Sequence, residues 1–365
     1  MWEAPVLSQR TSVGLDVHAR SVVGCGLDGV TGELFERRLT PDHREILEWI
    51  GQLPRPVGVT YEAGPTGFGL ARALEAAGIV CVVAAPSKLI RPPGDRVKTD
   101  ARDAVLLARL LHLGEITAVT VPSVIQESAR DLVRAREDCR ADLMRTRHRL
   151  SKLLLRQGIV YYGGKPWTGT HERWLRQQCF DAYGQRLAYE EAFDAMLVTR
   201  DRRDRLDAAI TTMAATSEFS AVVTRLGCLR GVSTLTGFAL ATEIGDWRRF
   251  TGRTIGAYLG LVPTESSSGA TRIQGGLTKT GNGHARRLLV EAAWHHRKPY
   301  RPSVLLRRRW AAASPAARAR GQQANRRLHA RWDRFEDRKK RPVVANAAIA
   351  RELAGWCWSL AVLDD

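Results

Sequence analysis

Ser12-Val13-Gly14-Leu15-Asp16-Val17-His18 is the first of three short runs with strand character. The others are residues 21–27 and 33–39, and brief turns join the three, with Asp28-Gly29 and Thr31-Gly32 between the second and third. Asp42 is placed to cap a helix through Gln52, because Ile46, Leu47 and Ile50 share one helical face. Val57–Tyr61 then reads as a strand, and Gly64-Pro65-Thr66 as the start of a helix through Ala77. Gly78 ends that helix, Ile79–Ala84 is an apolar strand, and a further helix is expected over Thr99–Leu113.

Three meander strands followed by alternating helix and strand imply a mixed α/β sheet covered by helices. The ribonuclease-H-like, or RuvC-like, sheet has this element order. On such a sheet a carboxylate on the first strand faces the end of the fourth. Asp16 interrupts an apolar strand, where an unpaired charge is costly unless a cation accompanies it. Glu62 follows the fourth strand. Asp100 and Asp103 lie three residues apart in Lys98-Thr99-Asp100-Ala101-Arg102-Asp103-Ala104 and share a helical face. Taken singly these acids have plainer readings, Asp100 as a helix cap and Glu62 as a surface residue. Together they suit Mg²⁺ or Mn²⁺, with two ions about 4 Å apart across a scissile phosphate. His18 shares the face of Asp16, which leaves a supporting role open.

Beyond Pro122 the texture changes. Residues 123–156 are Arg-rich and free of Gly and Pro, with Ile125, Leu132, Cys139, Leu143, Leu150 and Leu154 near a helical seam. Residues 185–215 form a second such stretch, and the two read as an antiparallel coiled-coil arm for dimerisation or nucleic-acid contact. Residues 158–183 are expected to be the connector. From about Val222 a mainly helical region follows, in which Leu229–Gly237 resembles a helix-hairpin-helix turn, equally readable as a structural turn. Residues 260–283 are a Gly/Ser/Thr-rich loop in which Lys279, Arg286 and Arg287 surround a helix start capped by Asn282.

The charge balance points to a polyanion. The chain has 365 residues, with 56 Lys+Arg against 38 Asp+Glu, a net +18 in which Arg predominates. Residues 297–341 hold 16 basic and 3 acidic side chains, so this segment, including Arg307, Arg308 and Arg309, is expected to meet backbone phosphates. The alternative for this segment is a solvated tail. Six cysteines, none in a CxxC pair, read as reduced thiols. Neither a secretory signal nor a long apolar span is evident, so a cytoplasmic, nucleoid-associated protein without a membrane partner is expected.

The run Lys98-Thr99-Asp100-x-x-Asp103-Ala104 resembles the Lys-Thr-Asp-x-x-Asp-Ala signature of the DEDD-type transposases of the insertion-sequence "one-ten" family. Gly260-Leu261-Val262-Pro263, Ser267-Ser268-Gly269 and Gly276-Leu277-Thr278-Lys279-x-Gly281 are similar to that family's C-terminal signature. The likeness spans residues 12–300. It implies a RuvC-like metal-binding domain over 1–121 with Asp16, Glu62, Asp100 and Asp103 as ligands. It further implies a coiled-coil arm over 122–219 and a C-terminal transposase domain over 220–365. That last domain would carry a serine nucleophile, matched best by Ser268, with Ser267 as the alternative. Family members have Ser-Gly-Gly here, whereas this chain has Ser268-Gly269-Ala270. The implied partners are donor and target DNA, an element-encoded guide (bridge) RNA that pairs with both, and further copies in a homodimer or homotetramer. Lys98, Lys279, Arg286, Arg287 and Arg307–Arg309 would contact nucleic acid.

Three other readings compete. A Holliday-junction-type resolvase would use the acids to activate water and would leave residues 220–300 without a role. A non-catalytic RNA-binding scaffold would not need the carboxylates. An actin-like ATPase would want Gly-Thr or Gly-Ser directly after the first-strand acid, where this chain has Val17-His18-Ala19.

Overall fold

The computed structural model describes residues 9–90, 99–268 and 271–364, and the chain divides into two compact units, Met1–Ser123 and Val124–Asp365. In the first unit β1 (Thr11–Val17), β2 (Val22–Asp28) and β3 (Leu34–Leu39) form an antiparallel meander. After α1 (His43–Gly51), β4 (Val57–Glu62) pairs parallel with β1; after α2 (Gly69–Ala76), β5 (Val80–Ala84) pairs parallel with β4. The resulting order, β3-β2-β1-β4-β5, is consistent with a ribonuclease-H-like sheet. Helix α2 begins at Gly69, later than the Gly64-Pro65-Thr66 start expected from sequence, because Gly67 at φ 71° interrupts any earlier helical turn.

Strand alternation assigns the two faces of this sheet. Val13, Leu15, Val59 and Tyr61 point toward Ile46, Ile50, Leu70 and Leu74 of α1 and α2. Gly14 and Cys25 point the other way, toward α3 (Asp100–His112), whose Ala104 and Ala108 pack on Cys25. Gly14 is glycine for a steric reason. A Cβ there would stand 2.7 Å from Leu107 Cβ and closer still to the Ala104 carbonyl and the Ala108 nitrogen. The missing side chain lets α3 lie directly on β1.

The second unit begins with α4 (Val124–Arg156), which packs along α6 (Tyr183–Thr216). At one end Leu143, Leu150 and Leu154 meet Tyr189, Phe193 and Met196; at the other, Ala129 and Val133 meet Ile210 and Ala214. The connector between them holds α5 (Gly169–Arg176). Thr168 caps it by accepting from the His171 N–H, and Leu175 anchors it against the helix pair.

Next come α7 (Ser220–Leu226), α8 (Thr234–Ile244) and α9 (Ile255–Tyr258). A two-stranded hairpin of β6 (Pro263–Ser268) and β7 (Thr271–Leu277) follows. This corrects the expectation of a loop over 260–283. Along β7, Thr271 and Ile273 alternate with Arg272 and Gln274 in an exposed ribbon, and the glycines of this stretch obscured that pattern. The chain closes with α10 (Gly283–Ala293), α11 (Val304–Ala311), α12 (Pro315–Asp337) and α13 (Pro342–Ala361). The basic segment is therefore helical, and it buries Leu306, Trp310, Leu328 and Trp332 in the largest core of the chain. No described helix is long and apolar enough to cross a membrane.

Candidate functional site

Parallel pairing of Leu15 with Tyr61 sets Asp16 level with Glu62 at the ends of neighbouring strands. Both residues fall on the Gly14 face, the one covered by α3. The first turn of α3 brings two more acids. Thr99, not Asp100, is its cap, accepting from the Arg102 N–H at 3.3 Å. Asp100 is thereby released from the plainer role the sequence allowed it, and its side chain is half-exposed.

His18 completes the cluster. Its Nε2 lies 3.2 Å from Asp16 Oδ2 and 3.8 Å from Asp100 Oδ1. One donor atom from each of Asp16, His18 and Asp100 falls within a 4.8 Å group. Glu62 and the buried Asp103 line the same cleft of about 870 Å³ as Asp16 and His18. Burial holds the Asp16 carboxyl above the usual carboxylate range; Asp100 and Asp103 push it the same way, and His18 opposes them. Acids converging on a partly buried carboxylate, with oxygen donors in the majority, fit a hard divalent cation. His18 is the member whose part the sequence left open.

In the second unit Ser268 ends β6, opposite Thr271, and its side chain is exposed. Ser267 pairs with Arg272 and points to the opposite face, where Arg272 is held by Glu265 at 2.7 Å. The two serines are therefore not interchangeable. Gly269 and Ala270 lie outside the described residues, as does Lys98.

Lys279 is exposed at φ 54° just after the hairpin. Arg286 donates to the Leu259 and Thr280 carbonyls at 3.1 and 2.8 Å, tying down that turn. Arg287 pairs with Glu137 and Glu291. Arg309 donates to the Val232 carbonyl, whereas Arg307 and Arg308 are exposed. The Leu229–Gly237 turn is anchored in the core: the Arg230 N–H donates to Asn325 Oδ1 at 2.8 Å.

One group went unnoticed in the sequence. Glu243 is a lone acid in the apolar run of α8, and its side chain is 1% exposed. Arg134 donates to both its oxygens at 3.2 and 3.1 Å, Asn282 Nδ2 donates at 2.8 Å, and His284 Nδ1 lies at 3.2 Å. Burial alone would raise this carboxyl, but His284, Arg134 and Asn282 bring it down to about 2. The network joins α4, α8 and the start of α10, the helix that follows the serine hairpin. Glu243→Ala should lower stability by about 3–5 kcal/mol, since three donors lose a buried partner. The contribution of this charge is present above pH about 4.5 and is lost as pH falls toward 2. The gap between wild type and Glu243→Ala in urea denaturation should therefore narrow over that interval. A gap independent of pH would show that the charge is not what stabilises.

The fold and its clustered acids are consistent with a class of enzymes that act on nucleic acid with divalent metal. The comparisons make this specific. The model of the DEDD transposases of the IS110 type matches residues 13–158, and that of the Transposase IS116/IS110/IS902 family matches residues 223–304. The putative transposase y4qE of Sinorhizobium fredii is 41% identical over 302 residues, covering 82% of this chain and 74% of that protein. The transposase for insertion sequence element IS1533 of Leptospira borgpetersenii is 30% identical over 350 residues, covering 92% and 99%. This chain belongs to the IS110 family of transposases. It is a DNA transposase.

Proposed function

We propose that the chain cuts and rejoins DNA strands through Ser268, assisted by divalent metal held by Asp16, Glu62, Asp100 and Asp103, with His18 beside them. The observation that supports this reading is the grouping of Asp100 with Asp16 and His18, the latter two lying in a cleft that Glu62 and Asp103 also line. Bound Mg²⁺ or Mn²⁺ would supply a positive centre for phosphate oxygens and for the oxygen displaced in the reaction.

Ser268 Oγ attacks phosphorus, an O–P bond forms to the serine, and one bridging P–O bond to deoxyribose breaks. The serine proton leaves to base or solvent, and the departing deoxyribose oxygen takes up a proton. Attack by a second DNA hydroxyl reverses these steps and frees the serine. Lys279, Arg307 and Arg308 neutralise DNA phosphates; Arg286, Arg287, Arg309 and Lys98 belong to the same proposed interface. A structured guide RNA selects donor and target. Residues 1–121 form the metal domain, 122–219 an arm joining copies into a homodimer or homotetramer, and 220–365 the serine domain.

The test incubates protein with element DNA, flanking RNA and Mg²⁺ and runs the products on a denaturing gel. A denaturation-resistant protein–DNA adduct is expected for wild type and none for Ser268→Ala. Nicked DNA with no adduct in wild type would favour the resolvase reading, in which water is the nucleophile.

A further inference from the structure

A groove of about 1,420 Å³ in the second unit shares only Lys279 with the interface proposed above. It exceeds the roughly 300–1,000 Å³ of small-molecule sites, which suits a length of polymer. Its apolar side is the outer face of α13, with Val343 59% and Val344 51% exposed, continued by Ala347, Ala348 and Trp358. The Trp358 indole N–H is buried and has no hydrogen-bond partner among the described residues.

Charge along the same groove is one-sided. Arg253, Lys279, Arg327, Arg331 and Arg351 line it, against the single acid Glu352. Glu352 is occupied by Arg327 and Arg331, so Arg253, Lys279 and Arg351 remain without a carboxylate among the described residues. A second copy of a chain carrying net +18 is a poor occupant for such a rim. Duplex DNA would satisfy the cations and leave the apolar wall bare, because its bases are stacked away. An unpaired strand offers both phosphates and apolar base faces.

We infer that this groove binds single-stranded DNA flanking the scissile phosphate, with unstacked bases against Trp358 and Val344 and phosphates on Arg253, Lys279 and Arg351. DNA is chosen over RNA because the family acts on DNA and because the groove reaches the hairpin root. Pro263 lines it, and Ser268 lies five residues further along β6, about 17 Å at about 3.3 Å per residue. A strand still stacked between Ser268 and the groove would cover that separation in roughly five nucleotides before it unstacks. The groove would therefore hold a flank that has been melted from its partner strand. The inference rests on Ser268 as the reacting group only for this distance; binding itself requires neither serine nor metal.

The test uses the full chain in chelator, so no cleavage occurs and failure of the serine mechanism cannot affect the outcome. A 12-nucleotide single strand carrying 5-iodouracil should crosslink to the peptide containing Trp356–Ser359. Arg351→Ala combined with Val344→Asp should weaken single-strand binding about tenfold or more, with duplex of equal length changed less than about twofold. Both substitutions are at exposed positions, and a thermal melt checks folding. Unchanged single-strand affinity, or crosslinks confined to other peptides, would overturn the inference. Tighter binding of RNA of the same sequence would contradict the choice of DNA. A smaller oligomer for the Val344→Asp variant, with DNA binding intact, would show that a second copy occupies the groove.

Discussion

Gly14→Val should disrupt the N-terminal unit, at a cost above about 4 kcal/mol, beyond the range of ordinary overpacking. The clashing atoms are the Ala104 carbonyl and the Ala108 nitrogen, backbone groups that move only if α3 moves. Lifting α3 would also carry Asp100 and Asp103 away from Asp16, so metal binding should fail with the fold. Gly51→Ala is the control, because a Cβ there meets nothing within 4 Å. It should change stability by less than about 1 kcal/mol. Urea denaturation read by circular dichroism checks both, and a Gly14→Val protein of wild-type stability would contradict the packing described for β1 and α3.

Asp16→Asn should separate stability from function. Asp16 is crowded by Asp100 and Asp103, whereas His18 favours its charge. Removing that charge should leave the melting temperature unchanged or slightly raised. The same substitution removes one carboxylate from the proposed ligand set. Mn²⁺ affinity, measured by calorimetry, should fall by about 100-fold, at about 1.4 kcal/mol for each factor of ten. DNA cleavage in Mg²⁺ should fall at least as far. A destabilised variant with wild-type Mn²⁺ affinity would mean that Asp16 serves the fold and not a metal.

The N-terminal unit was largely legible because its signals are local. Alternating apolar strands, Asp42 as a cap and Gly78 as a stop each act within a few residues, and their order implied the sheet. The acids followed from that order, since Asp16 and Glu62 become neighbours once β1 pairs with β4. Less local features were harder to read. The role of Gly14 depends on α3, some 90 residues away in the chain, which no periodicity reveals. Glu243 looked like a solitary acid because its partners Arg134, Asn282 and His284 come from two other segments. The serine hairpin was hidden by composition, for Gly275 and Gly276 read as loop although both belong to β7. Helix α5 is short and was obscured by the Gly- and Trp-rich sequence before it.

On the proposed mechanism Ser268 of the β6–β7 hairpin becomes covalently joined to DNA. Mass spectrometry of the nuclease-trimmed, protease-digested adduct identifies the residue that carries the nucleotide. A nucleotide phosphate on Ser268, formed only with Mg²⁺ or Mn²⁺, is the expected result. Ser267 faces the other way, so attachment there would require a different approach of the DNA to the hairpin. Attachment to Ser267 or to any residue outside the hairpin, or cleavage that leaves no nucleotide on the protein, would contradict the account.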